Sequence, residues 1–133
     1  MRRIALLASI VVLVPQVATA HVVRHRNIPQ AYQGTWATAA ASCGVDKGAI
    51  VLAAGTYTSR DKNCTVVYLD ETAGAQGPNF SARLLCSDSA GGAKKSAVNL
   101  IIRPDKDGIS VGPAFDSLVA YQRCLSNGAD AKH

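Results

Sequence analysis

The residues able to do chemistry in this 133-residue chain are few, and their spacing suits catalysis poorly. Its three histidines, His21, His25 and His133, stand in segments that read as termini of the mature chain. A Ser-His or Cys-His dyad needs an imidazole fixed within hydrogen-bond reach of its nucleophile, and no histidine here is so placed. The motif H-E-x-x-H is absent, as is a glycine loop able to cradle phosphate. Asp70 and Glu71 are adjacent at an expected strand end, where successive side chains point to opposite faces. They make a poor acid/base pair. The run Asp105-Lys-Asp-Gly108 opens like a calcium loop but lacks the later ligands and the closing Glu. A hairpin turn between Ile102 and Ile109 accounts for it better. No enzyme activity, cofactor or side-chain metal site is expected.

His21 has one further possibility. Cleavage after Ala20 would leave it at a new N-terminus, where its amine and ring could chelate copper with a second histidine. His25 is the nearest, on a segment expected to be loose, so a copper site ranks last among the functions considered.

The four cysteines, Cys43, Cys64, Cys86 and Cys124, carry more information. A zinc site favours close pairs such as C-x-x-C, whereas no two of these are nearer than 21 residues. An even number in a small exported domain reads as two disulfides. Facing residues of a hairpin have a constant index sum, so Cys64 and Cys86 would meet across a turn centred on Ala75. That residue lies in the turn-forming run Ala73-Gly-Ala-Gln-Gly-Pro78. Of the three possible pairings, this favours Cys64–Cys86 with Cys43–Cys124.

Export is argued from the first twenty residues. Arg2 and Arg3 precede an eleven-residue, almost wholly apolar run over 4–14, then Pro15 and the small-x-small site Ala18-Thr19-Ala20. Eleven helical residues cover about half of a hydrocarbon core, too little to span it. Residues 1–20 are therefore expected to be a cleaved signal peptide, with no membrane anchor. Residues 21–133 form one domain, delivered to the periplasm or the medium. Removing 20 of 133 residues leaves 113; the basic count falls from 14 to 12 against 9 acids, a net charge of +3. That is too mild for a nucleic-acid footprint. Asn63-Cys-Thr65 and Asn79-Phe-Ser81 match glycosylation acceptors, which matter only in a eukaryotic secretory route.

The elements that must position everything follow a period of two. Strands are expected at 49–53, 56–59, 64–70, 79–87, 96–103, 108–111 and 117–124, separated by Gly-, Asp-, Asn- and Pro-rich turns. One helical turn is allowed over 37–42. Residues 21–31 and 126–133 are expected to be flexible. Seven short strands at hairpin spacing give an all-β fold: a small antiparallel meander, closed as a barrel or folded as a sandwich, stapled by disulfides. Phe80, Ala82, Leu84 and Cys86 should face inward, as should Val98, Leu100 and Ile102, then Val119 and Tyr121. Trp36 should plug one end, with ligand stacking as its alternative role.

The layout Gly34-Thr-Trp-Ala37, Cys43, Cys64-Thr-Val66, Cys86 and Tyr121-Gln-Arg-Cys124 resembles uncharacterised small exported proteins of proteobacteria. Gly34-Thr-Trp36 followed by Gly55-Thr-Tyr-Thr-Ser59 resembles the first two strands of the avidin family. That resemblance implies a small barrel, with Ser42, Tyr57 and Ser59 at ligand-bonding positions. The other tryptophans that wall the family's biotin pocket have no counterpart. The G-x-W opening is similar to that of lipocalins and exported protease-inhibitor barrels too. The function expected is non-catalytic binding, led by a protein-interaction module that acts on an exported protein, as an inhibitor would. A carrier of a small apolar ligand comes second. The non-reduced intact mass of the exported protein should equal residues 21–133 less four hydrogens. Retained residues 1–20 or free thiols would remove the ground for an oxidising compartment.

Overall fold

The computed structural model describes residues 10–16, 21–88 and 94–125. Arg2, Arg3, the Ala18-Thr19-Ala20 site, most of the turn after Asp88, His133 and the tail 126–133 lie outside the described residues. Residues 10–16 form neither helix nor strand, and among the described residues no helix is long and apolar enough to cross a membrane.

Among the described residues nine strands follow one another: β1 (Val23–His25), β2 (Gly34–Ala37), β3 (Ile50–Leu52), β4 (Thr56–Thr58), β5 (Lys62–Thr72), β6 (Asn79–Asp88), β7 (Ser96–Asp105), β8 (Gly108–Gly112) and β9 (Val119–Arg123). From β2 onward each pairs antiparallel with the next, and β9 returns to β2, so eight strands close into a meander barrel. The fold is a barrel, not a sandwich. Two strands have no counterpart among the expected segments. One is β2, which contains Trp36. The other is β1, on the segment expected to be loose: it adds to β5 through Val23–Glu71, Arg24–Asp70 and His25–Leu69. Short 3-10 turns at Gln30–Tyr32, Ala40–Ser42 and Val45–Lys47 are the helical content among the described residues.

Alternation explains the core. Along β6, Phe80, Ala82, Leu84 and Cys86 are buried, and they stand opposite Ile102, Leu100, Val98 and Ser96 of β7. Arg83 points outward and donates to the Asn99 side chain at 3.0 Å. On β5 the pattern changes phase. Cys64 and Val66 face inward, then Val67 bulges out of the ladder, and Leu69 takes the next inward place opposite Ala82. One extra residue thus resets the pleat. Facing residues sum to 150 before the bulge and 151 after it. Cys64 and Cys86 are direct partners with Cα atoms 4.0 Å apart, and they form a disulfide. The second disulfide, Cys43–Cys124, ties the β2–β3 connection to the residue after β9. Both cysteine pairings are those the hairpin arithmetic favours.

The barrel has one sealed end. Residues 26–33 cross it from β1 to β2, anchored where the Ile28 amide donates to the Ala54 carbonyl at 2.8 Å. Ile28 is buried there, and Tyr32 packs edge-on against Phe80 with centroids 5.3 Å apart. Burying the Ile28 side chain is worth about 1.5–3 kcal/mol relative to exposure. On the outer face, Arg24 makes a two-pronged bond to Asp70 and lies 3.9 Å over the Tyr68 ring. His25 meets Glu71 at 3.3 Å on the inner side.

The seam between β2 and β9 has two register pairs, Trp36–Arg123 and Ala37–Gln122. The Arg123 guanidinium lies 4.3 Å over the Trp36 ring and donates to the carbonyls of Gln33 and Ala31, each at 2.7 Å. Gly34 sits beneath it with φ 135°, where a side chain would be strained and would strike the guanidinium. The Cys43–Cys124 disulfide spans 81 residues across this seam, which the chain-entropy treatment values at about 4.5 kcal/mol, against about 3.4 kcal/mol for the shorter Cys64–Cys86 loop. Replacing Cys43 and Cys124 by alanine should lower urea-unfolding stability by about 4 kcal/mol. A loss below about 1 kcal/mol would show that the remaining seam contacts suffice.

Candidate functional site

The end opposite the sealed one is open. Inward positions of β4–β9 line a mouth of about 260 Å³. Its floor is Leu84, Leu100, Val111 and the Cys86 side of the disulfide, all buried. Tyr57, Val98, Val119 and Tyr121 form the walls, and Lys62 stands on the rim. Pro113 and Ser117 bring the β8–β9 connection to the edge. Each wall residue is placed by the pleat: Tyr57 is the register partner of Cys64, Val98 of Leu84, and Tyr121 of Ile109. The β7–β8 hairpin permits this through Gly108, where a Cβ would collide with the Tyr121 carbonyl.

The interior below the mouth is solid. Phe80, Leu69 and Ile102 are at most 2% exposed. A carrier of a large apolar molecule needs a deep cavity, commonly about 300–1,000 Å³ for a drug-sized ligand. Here the hollow is confined to the top of the barrel. It has room for a group of about the size of one large side chain.

Burial in this apolar wall pushes the Tyr57 phenol above its ordinary value; its hydrogen bond with Ser59 opposes the shift, and the neighbouring Tyr121 adds to it. Burial likewise raises Tyr121. Both hydroxyls therefore stay protonated throughout the neutral range. They can donate hydrogen bonds and are poor bases.

The residues singled out by sequence are dispersed. Trp36 is buried at the sealed end, its indole donating to the Tyr32 carbonyl at 3.0 Å. With Arg123 over one face it acts as a plug. Tyr57 lines the mouth and Ser59 bonds its phenol, whereas Ser42 lies in the β2–β3 connection and outside the lining. Asp70 and Glu71 face apart, engaged by Arg24 and His25. His21 borders an outer groove with Val23 and Pro78. Among the described residues no three His, Cys, Asp or Glu side chains are grouped to hold a metal. Asp105 closes the β7–β8 hairpin, where its carboxylate accepts the Lys106 amide at 2.8 Å and the Ser110 hydroxyl at 3.0 Å. These bonds hold its pKa below the usual carboxylate value. Sequence reasoning assigned Lys62 to a turn. Its place two residues before Cys64, at an inward position, was the available signal.

The fold and its mouth define a small closed β-barrel, sealed at one end and open at the other. A scan against protein-family models and searches of curated proteins and solved structures return no match. In an alkaline spectrophotometric titration, two tyrosines should ionise above the ordinary phenol value near 10. A phenol whose folded pKa is raised adds stability below pH 10 that is lost as pH climbs past it. Tyr57→Phe should delete one of the two late transitions; loss of an ordinary transition near 10 instead would place Tyr57 in solvent.

Proposed function

We propose that the chain is a non-catalytic binding protein of the periplasm or medium, which recognises another exported protein by taking one apolar group into the barrel mouth. The observation that carries this is the mouth's form: an apolar hollow of about 260 Å³ above a solid core, on a scaffold closed by two disulfides. Two disulfides suit a non-reducing compartment, consistent with the export signal at residues 1–20.

Magnitudes favour a protein partner over a free ligand. Burying one large apolar side chain gains about 1.5–3 kcal/mol, and an exposed ion pair adds up to about 1 kcal/mol. A free molecule held by these alone would bind near the millimolar level, about 4 kcal/mol. The same increment makes an effective anchor within a larger interface. The connection 113–118 reaches the mouth through Pro113 and Ser117 and supplies such a surface. A rigid barrel presenting loops to a hydrolase would work as an inhibitor. The carrier reading comes second, supported by the apolar floor but limited by its volume.

A photo-crosslinking residue at Val119, on the mouth wall, should trap an exported protein in the native host. The same residue at Ser81, on the outer face of β6, should not. Val98→Trp fills the mouth and should abolish the adduct. An adduct unaffected by Val98→Trp would place recognition elsewhere, and a small bound mass in native spectrometry would favour the carrier.

A further inference from the structure

Among the described residues Lys62 is the one charged residue in the mouth lining, and no acid joins it there. It precedes Cys64 by two positions on β5 and shares the inward side of Cys64 and Val66. The lysine stem can therefore lie along the apolar wall while its ammonium stays at the water-facing rim. Among the described residues Lys62 forms no ion pair. Its register partner Asp88 is exposed and lies outside the lining. Tyr57 and Tyr121 add two protonated hydroxyls to the same opening. An apolar floor beneath a rim of donors and one cation matches an apolar body with an anionic head.

We infer that the group taken into the mouth is the C-terminal residue of the partner protein, its apolar side chain on Leu84, Leu100 and Val111 and its terminal carboxylate against Lys62, Tyr57 and Tyr121. This rests on the mouth being the recognition site. A chain terminus is the one place in a protein where an apolar side chain and a carboxylate belong to the same residue. It also suits a hollow closed below, because no backbone has to continue past the inserted residue. An internal Asp or Glu would bring the charge without the apolar body.

The probe is the peptide Gly-Ser-Gly-Ser-Phe, as free acid and as C-terminal amide, titrated by NMR into the isotope-labelled protein recovered from an exported fraction. The free acid should shift the amides of Val98, Leu100, Val111 and Tyr121 and bind at least tenfold more tightly than the amide. Lys62→Met should erase that difference, and Lys62→Arg should retain it. Val98→Trp should abolish both interactions. Equal binding of acid and amide, both lost in Val98→Trp, would overturn the carboxylate inference and leave the mouth as an apolar recognition site. Shifts that survive Val98→Trp, or no shifts at all, would overturn the inference; the Val119 cross-link then decides the mouth independently. If 3-phenylpropionate bound as tightly as the peptide acid, the source would be a free small carboxylate and not a protein terminus.

Discussion

A meander of eight strands becomes a barrel only where its last strand meets its first, and in this protein that meeting is two residue pairs long. Every other neighbour in the eight-stranded barrel is the next strand along the chain; β2 and β9 are brought together from opposite ends of the barrel sequence, against loop-closure entropy. Several reinforcements concentrate there. Arg123 spreads one guanidinium over Trp36 and two backbone carbonyls, the Cys124 amide donates to Thr35 at 2.8 Å, and Cys43 bonds covalently to Cys124. Arginine suits this place because its planar fork can stack and donate at once, which a lysine cannot do. The same group also fixes the segment that seals the barrel, since both accepting carbonyls belong to that crossing.

The two ends of the barrel owe their difference to β5. Its first half pairs with β4 and its second half with β1, on the same edge, while β6 runs the whole length of the other. The bulge at Val67 lets both halves present apolar residues inward despite this change of neighbour. Cys64 and Val66 serve the upper barrel; Leu69 serves the lower, beside Phe80 and Ile28. Above them the inward positions carry Tyr57, Val98 and Tyr121, and no segment crosses over to cover these among the described residues. A hollow remains because the crossing segment is spent at the opposite end.

Much of this was legible in the sequence. Strict alternation along β6 and β7 announced an inward and an outward face, and the index sum of Cys64 and Cys86 announced their pairing, because both facts are local to one hairpin. The barrel closure was not legible, since it depends on contacts between residues some ninety positions apart. The strand β1 was missed for a related reason: Val22 and Val23 stand beside Arg24, His25 and Arg26, and a short charged segment looks loose until Asp70, Glu71 and Tyr68 are seen to receive it. The bulge was hidden within the run Val66-Val67-Tyr68-Leu69, where every residue is apolar or aromatic and alternation is silent. The mouth was half legible. Tyr121 and Val98 were read as inward, but a residue at an inward position lines a hollow or fills a core according to what stands above it, and that is a property of the assembled barrel.

The chain enters the barrel at its sealed end. His21 and Val23 lie beside the β5–β6 turn, at the far pole from Lys62, Tyr57 and the open mouth. A tether attached at His21 would therefore hold the molecule from the side away from the open mouth. The molecule is polar in this mechanical sense: held from its front, it faces outward with the mouth free.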